Sequence, residues 1–499
     1  MMRSAAFVIC GLRLLTVLHG ESADPLTPPN FPLPQFQPAI FNVRDFGAAG
    51  DGRSNDTQAI NKAIEKCNAS GGGNVIFPAG TYVAASIHVK SNVRFVLDKG
   101  ALITGAKNGY DAPEPNEFEQ YQDFGHSHFH NALMWGEKID NFAIVGGRIN
   151  GSYLVERDPN GQDIGDKVIA IKSGRNLLFE NVTHETGGHF VYLLNDCENV
   201  TITNVTIRKS RDGVNLVGCR NVQLHNCAFT GCGDDTIALK SDWALGRKIA
   251  SENIYVWDAY LESGGNALQF GSETTGDFHN ANFWNIRIGK ADKAAISMTC
   301  ADGGTIDGVA YDKIDIKGAI CPISFSVFAQ LRSGDPAKKI GHIKNVMISN
   351  LTVTDCARGR DGQVWTANIS GAANSPLENI GMKNVKIRYR GGMKKGEMDK
   401  LTPYPKDNPR SLWPLQAWGF SVRNVQDLLL RDVELTYERE DQRPALIASE
   451  VQHLELEHFT ASKTSSAEIM RLKKIDNLTV RNSAGLEERN GESISSLKE

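Results

Sequence analysis

Residues 196–242 read DCENVTITNVTIRKSRDGVNLVGCRNVQLHNCAFTGCGDDTIALKSD, and within them CENV at 197–200 returns as CRNV at 219–222, 22 residues later. Each phrase opens a run of alternating apolar and polar residues, the pattern of a strand with one buried face. The phrase recurs as SNVRFVLD, DNFAIVGG, RNLLFENV, ENIYVWDA, KNVMISNL, ENIGMKNV and DNLTVRNS. Its opening asparagines Asn176, Asn199 and Asn221 lie 23 and 22 apart, whereas Asn221 to Asn253 is 32 and Asn345 to Asn379 is 34. Loops of different length inserted into one repeating coil produce that spread. No unit this short can bury its own apolar face, so the units must stack. The expected fold is an all-β, single-stranded parallel β-helix.

Helical periodicity is clear only in DTQAINKAIEKCNASGG, residues 56–72. There Asp56 is placed to cap, Ile60, Ala63 and Ile64 form a stripe, and glycines from Gly71 stop the helix. Such a helix would cover the first coil and hide edge strands that invite aggregation. The 499-residue chain carries a net charge of -4 with 22% charged residues, which argues against nucleic acid as a partner. The start, MMRSAAFVICGLRLLTVLHGESADP, reads as a secretory signal over 1–23, with an early Arg3, an apolar run and small residues at Ser22 and Ala23. A proline-rich extended arm is expected over 24–40, the β-helix over 41–490 and a tail over 491–499. A loop-rich segment is expected at about 390–414. No later run approaches the roughly 18 apolar residues of a membrane span. A secreted or periplasmic monomer is therefore expected. Of nine cysteines, eight remain without Cys10. An even number permits disulfides in an exported chain, but the spacing suits neither a small stapled scaffold nor zinc.

In a parallel β-helix, one repeat along the chain is about 4.8 Å along the axis. Asp212 lies 13 residues after Asn199, and Asp234 lies 13 after Asn221. The lone aspartate and the doublet Asp234-Asp235 thus fall in one cluster. Neighbours in a regular strand face opposite ways, so both members of a doublet stay out of the core only if the chain bends, as Gly231 and Gly233 permit. Three carboxylates on one surface repel, and at least one should keep its proton to higher pH than a free aspartate. Glycosidic cleavage uses that combination: a protonated acid for the leaving oxygen and an ionised base for the water. A solvated turn or a calcium ligand is the plainer reading of a doublet alone.

FNVRDFGAAGDGRSNDTQAINKAIEKC, GGGNVIFPAGTY, the GGRING turn, SRDGVNL and GCGDDTIALKSD together resemble glycoside hydrolase family 28, the polygalacturonase family. The likeness runs over most of the chain after about Phe41. It implies a right-handed parallel β-helix that hydrolyses α-glycosidic bonds of pectin with inversion and without metal or other cofactor. It also implies Asp234 as general acid, with Asp212 and Asp235 holding and activating the water.

Two family motifs are altered. Where the family has Gly-His-Gly, this chain reads SGGNALQFGSE, with Asn266 at the histidine position and Ala267 at the second glycine. Where it has Arg-Ile-Lys, AAISMTCADGG places Ser297 and Thr299 at the basic positions. That loss removes the usual counter-charge for an acidic sugar. Either the sugar is neutral or differently linked, or other cations reach in (Lys240, Arg247, Lys293 and Arg332 are candidates), or the protein is catalytically weak. His189 lies 23 residues before Asp212, and so is expected about one turn below it as a replacement neighbour. The expected substrate-binding set is Lys240, Asn266, Glu273 and His189. HSHFH at 126–130 would point alternate histidines one way without a closing ligand, so no metal is expected there. A substrate-loop role with Trp135 suits that stretch better. Cys197 and Cys219 are expected to stack as core packing. The expected activity is hydrolysis of a pectin-related polysaccharide or oligosaccharide. A carbohydrate-binding β-helix without turnover, a hydrolase of a neutral polysaccharide, and a calcium-dependent lyase are the alternatives.

Overall fold

The structure is a computed structural model that describes residues 26–356, 365–403 and 415–499. The segment expected as a signal, 1–23, lies outside the described residues, as does 404–414 of the loop-rich segment. The chain divides into two compact units, 28–264 with 332–336, and 265–331 with 337–499. The span expected as one domain, 41–490, thus holds two densely connected parts. Stacked repeats touch mainly their nearest neighbours, so contacts cluster locally.

In the first unit the chain builds three stacks of parallel strands. One runs through Gly73–Phe77, Val93–Leu97, Asp140–Val145, Arg175–Glu180, Glu198–Thr203 and Arg220–Cys232. A second runs through Gly80–Ala84, Ala101–Gly105, Arg148–Asn150, Thr183–Thr186 and Thr206–Ile207. A third runs through Ala132–Glu137, Lys167–Lys172, Phe190–Asn195, Asp212–Val217 and Ile237–Ser241. This is the parallel β-helix that the repeat requires. Its core stacks like on like: Phe77, Phe95, Phe142, Phe179 and Tyr192 follow one another with ring centroids 5.5, 5.1, 6.3 and 4.9 Å apart. Edge-to-face contact suits the ring quadrupoles and adds to the area each ring buries.

The asparagine that opens each phrase has a structural cause. Asn176, Asn199, Asn221 and Asn253 all take a left-handed backbone, with φ between 53° and 57°. Asparagine enters that region more readily than other non-glycine residues. Their side chains form a ladder: the Asn199 amide donates to Asn176 at 2.9 Å, Asn221 to Asn199 at 3.0 Å and Asn253 to Asn221 at 3.0 Å. Each corner thus turns the chain and bonds it to the coil below.

The helix Thr57–Ala69 buries Ile60, Ala63, Ile64 and Cys67, as its stripe requires. Asp56 makes no side-chain cap; its carboxylate instead accepts from the Ala49 and Gly50 amides at 2.7 and 3.1 Å, tying down the preceding loop. All eight described cysteines are free and buried, so the disulfides that the even count permitted are not formed among them. The Cys197 and Cys219 thiols donate to the Ile171 and Leu194 carbonyls in the core. In the second unit, strands from Phe278–Cys300 to Met470–Arg481 repeat the parallel stacking. Its last strand, Arg489–Lys498, runs antiparallel to Met470–Arg481. Most of the expected tail, 491–499, is therefore an edge-covering strand. Arg443 is wholly buried there; it makes paired bonds to Asp441 at 2.9 Å each and donates to the Leu415 and Ala417 carbonyls.

Replacing Asn199 by alanine should lower stability by about 1–3 kcal/mol, the combined cost of a left-handed Cβ and of lost amide bonds. Asn199→Gly should lose less, because glycine keeps the backbone. Denaturant unfolding of the two variants against wild type measures the difference.

Candidate active site

The third stack carries the acids. Upstream of the doublet Cys232 bridges to Ser210, an offset of 22; downstream Ile237 pairs with Val214, an offset of 23. One extra residue is therefore accommodated between 232 and 237, where the doublet sits. The Asp234 amide donates to the Arg211 carbonyl at 2.8 Å, in the first register, and the Gly213 amide to the Asp235 carbonyl at 3.0 Å, in the second. This register change explains how adjacent aspartates both stay out of the core: each is only partly buried. Gly231, at φ 65°, makes the bend, since a Cβ there would stand 2.3 Å from the Arg208 carbonyl oxygen. Gly233, expected to share the task, has no positive φ and has room for a Cβ.

Asp212 is 2% exposed, and its carboxyl interacts with Asp234, Asp235, Arg211 and Lys240. Burial is the main cause that pushes its carboxyl up to about 7; Arg211 opposes the shift, Asp235 adds to it, Lys240 opposes it and Asp234 adds least. Asn215 donates to Asp212 Oδ2 at 3.2 Å, while buried Oδ1 has no hydrogen-bond partner among the described residues.

The sequence reading missed Arg211. Its guanidinium lies 3.5 Å from Asp234, 3.9 Å from Asp212 and 3.4 Å from Glu156. Burial works against its charge, but Asp212, Asp123, Glu156 and Asp234 outweigh burial and hold it firmly protonated. One cation thus sits between two of the three acids, opposing their mutual repulsion.

His189 is displaced by one place from its expected position. Phe190 pairs with Asp212, which puts His189 beneath Arg211, where Nε2 contacts the guanidinium. Its ring is 3% exposed, and burial lowers its pKa to about 4, Asp123 opposing and Arg211 assisting. It is a neutral, buried support for Arg211, not the substrate-facing proton carrier that its spacing promised.

The histidines of 126–130 diverge instead of aligning. His126, in the short helix Phe124–Ser127, lies 2.8 Å from Asp123 and 3.4 Å from Asn215 Oδ1. His128 stacks on Phe124, and His130 stacks on Trp135 at 3.8 Å. With one face against His130 and its Nε1 bonded to Asp111 at 2.8 Å, Trp135 is less open to a sugar than expected. Among the described residues, Glu114, His130 and Glu137 are the one trio spaced to hold a metal ion. The Lys172 ammonium already lies 2.6 Å from Glu137 and 3.7 Å from Glu114, supplying the positive charge.

Lys240 stands in Ile237–Ser241, nearly buried, near enough to act on Asp212. Arg247 pairs with Asp196 at 2.6 Å. Asn266 and Glu273 belong to the second unit. There Asn266 accepts from the Ala294 amide at 3.1 Å, and Glu273 is nearly buried, with the Ser272 hydroxyl 3.4 Å away. In that unit Ser297 is buried between Gln269 and Ser324.

Residues 40–261, the span that carries all three aspartates, match the family described as rhamnogalacturonase A/epimerase, pectate lyase-like. The fold is polygalacturonase-like. It is similar over 98% of its length, and over 98% of the other chain, to a hyperthermoactive exopolygalacturonase from Thermotoga maritima (TM-score 0.55, 18% identity), a likeness of fold. By sequence the chain is 21% identical over 379 residues to an exo-poly-alpha-D-galacturonosidase from Dickeya chrysanthemi, covering 64% of this chain and 62% of that protein. It is also 29% identical over 270 residues to plasmin and fibronectin-binding protein A of Streptococcus pneumoniae, covering 53% of this chain and 33% of that protein. The chain thus spans about a third of the latter relative's length. Among the described residues no helix is long and apolar enough to cross a membrane.

The raised carboxyl of Asp212 fixes the sign of a stability test. Its folded pKa of about 7 exceeds the unfolded value of about 3.9, so the folded state binds the extra proton between them. Its contribution is fully present below about pH 4 and is lost as pH rises through 7. Asp212→Asn should therefore match wild type near pH 4 and exceed it at pH 8 by on the order of 2–4 kcal/mol, as read by unfolding at both pH values.

Proposed function

We propose that this chain is an exported, inverting glycoside hydrolase that cleaves α-glycosidic bonds of a pectin-related polysaccharide or oligosaccharide at Asp212, Asp234 and Asp235. The observation that carries the reading is a three-aspartate cluster, open on the doublet's side, that keeps one proton to about pH 7 on its buried member. Inverting hydrolysis uses one carboxyl group with a proton and one without, separated by room for a water. Asp234, the more exposed partner of the Arg211 pair, meets the leaving oxygen. Asp212 and Asp235 hold the water. Because the three charges interact, the proton belongs to the cluster. Substrate that desolvates Asp234 draws the proton from Asp212, leaving Asp212 ionised to take a proton from the attacking water. The water oxygen bonds to the anomeric carbon, the glycosidic bond breaks, and the leaving oxygen carries away the proton from Asp234. Residues 1–23 supply the export signal in this reading.

A carbohydrate-binding role is the second reading. It is favoured by Asn266, Ser297 and Thr299 in place of the family's histidine and basic pair.

Asp234→Asn should lower kcat by about 10²–10⁴-fold without changing the fold. An aryl glycoside of the same sugar, whose leaving group needs little protonation, should recover most of that loss in Asp234→Asn but not in Asp212→Asn. Reducing-end release from polygalacturonate, rhamnogalacturonan, xylogalacturonan and neutral α-glucans identifies the sugar. Proton NMR of the first product should show the β anomer, and turnover should fall as pH rises through about 7. Equal release by wild type and Asp234→Asn on every glycan would leave the binding role.

A further inference from the structure

We propose that Asp123, on the long loop between the strands Ala101–Gly105 and Ala132–Glu137, is a positioning residue that braces the acid cluster through His126 and Arg211. Its kinetic consequence rests on the hydrolase reading, whereas the coupling itself does not.

One arm runs to Asp212. Asp123 Oδ1 lies 2.8 Å from His126 Nδ1, His126 Nε2 lies 3.4 Å from Asn215 Oδ1, and Asn215 Nδ2 donates to Asp212 Oδ2 at 3.2 Å. With Asp212 ionised, as it is above about pH 7, its carboxylate accepts only, so Asn215 turns its amide nitrogen to Asp212 and its oxygen to His126. The His126 ring, with Nε2 turned to that oxygen and Nδ1 facing the Asp123 carboxylate, orders the amide that aims Asp212.

The other arm runs to Asp234. On the neutral His189 ring Nε2 accepts from Arg211 and has no proton for Asp123 Oδ2, 3.6 Å away, so this arm acts by charge: Asp123 favours the Arg211 guanidinium, which reaches Asp234 at 3.5 Å. Burial opposes the Asp123 charge, but His126 and then His189 outweigh it and hold its carboxyl well below the usual range. Asp123 is thus ionised wherever the enzyme works.

The loop is seated to carry this load. Phe129 packs in a buried cluster with Ala132, Ala170, Phe190, Leu193 and Val217, the last three on the strands that bear Phe190 and Asp212. Gly125 permits the approach: a Cβ there would meet the His189 ring at 2.6 Å. Asp123 also caps the short helix by accepting from the His126 amide at 2.9 Å. Asp123→Asn keeps a capping side chain while removing the charge.

The groups facing Asp212 are Arg211, Asp234, Asp235, Lys240 and Asn215. Freeing Asn215 to turn withdraws a donor to the Asp212 carboxylate, so the Asp212 titration should move to higher pH. Asp123→Asn should lower kcat about tenfold to a hundredfold while KM stays within about threefold, with Asp123→Glu recovering part of the loss. Independently of turnover, melting temperatures from pH 4 to 9 should place the Asp212-dependent loss of stability about one pH unit higher in Asp123→Asn than in wild type. The same comparison in the Asp212→Asn background retains any titration of His126 itself, so the difference between the two backgrounds isolates the Asp212-dependent shift, which should be the larger part. Asn215→Leu should reproduce the shift. If wild type hydrolyses no glycan but the shift appears, the brace stands and the hydrolase reading falls. If Asp123→Asn lowers melting equally at every pH, or shifts it equally with and without Asp212, the brace is refuted whatever the activity.

Discussion

Hydrogen bonding between successive parallel strands leaves no freedom to slide. Each backbone amide and carbonyl must find its partner in the coil beneath, so every residue's vertical neighbour is set by the number of residues in that coil. In the first unit that number is held at 22 or 23 near the acids, and the difference of one is put to use. The change from 22 to 23 between Cys232 and Ile237 lets two adjacent charged residues leave the core together. A regular strand would have driven one of them among the valines and leucines.

The same rigidity lets the fold hold a destabilising group in place. Asp212 is buried, lacks a hydrogen bond to one oxygen, and stands among like charges, an arrangement that a softer scaffold would relax. Stacked coils on its own strand, with Arg211 beside it, keep it there. Arg211 prevents the acids from splaying apart, and Glu156 and the buried His189 hold Arg211 in turn. The charge pattern around the aspartates is therefore built in layers from the strand outward, and its outermost layer comes from a loop.

What could be read from the sequence follows from what repeats. The phrase beginning with asparagine marks a left-handed corner and an amide ladder, both of which recur each coil, so the fold class was legible. The nearness of Asp212 to the doublet was legible too, because the local spacing equals the coil. Which member of the doublet continues each register was hidden, since a single inserted residue leaves no mark in a pattern of Gly, Asp and Thr. His189 came out one place off for a related reason: Asp212 opens its strand opposite Phe190, and the count alone does not locate the strand's first pair. Asp123, His126 and Asn215 lay out of reach because a loop of irregular sequence brings two of them in. Arg211, adjacent to Asp212, was in view. A cation beside a cluster of three acids is the signal that would have found it.

Eight thiols sealed in the interior have a consequence for how such a chain survives in oxidising surroundings. Burial pushes Cys227, Cys232, Cys300 and Cys321 up to about 12, so none of these four offers a thiolate to an oxidant while the coils are closed. Once opened, the same chain presents these eight sulfurs at once, and among the described residues there is no native pairing to guide them. Its working lifetime outside a reducing compartment is then governed by how seldom it opens, and recovery from denaturant depends on a reductant that the intact protein does not need.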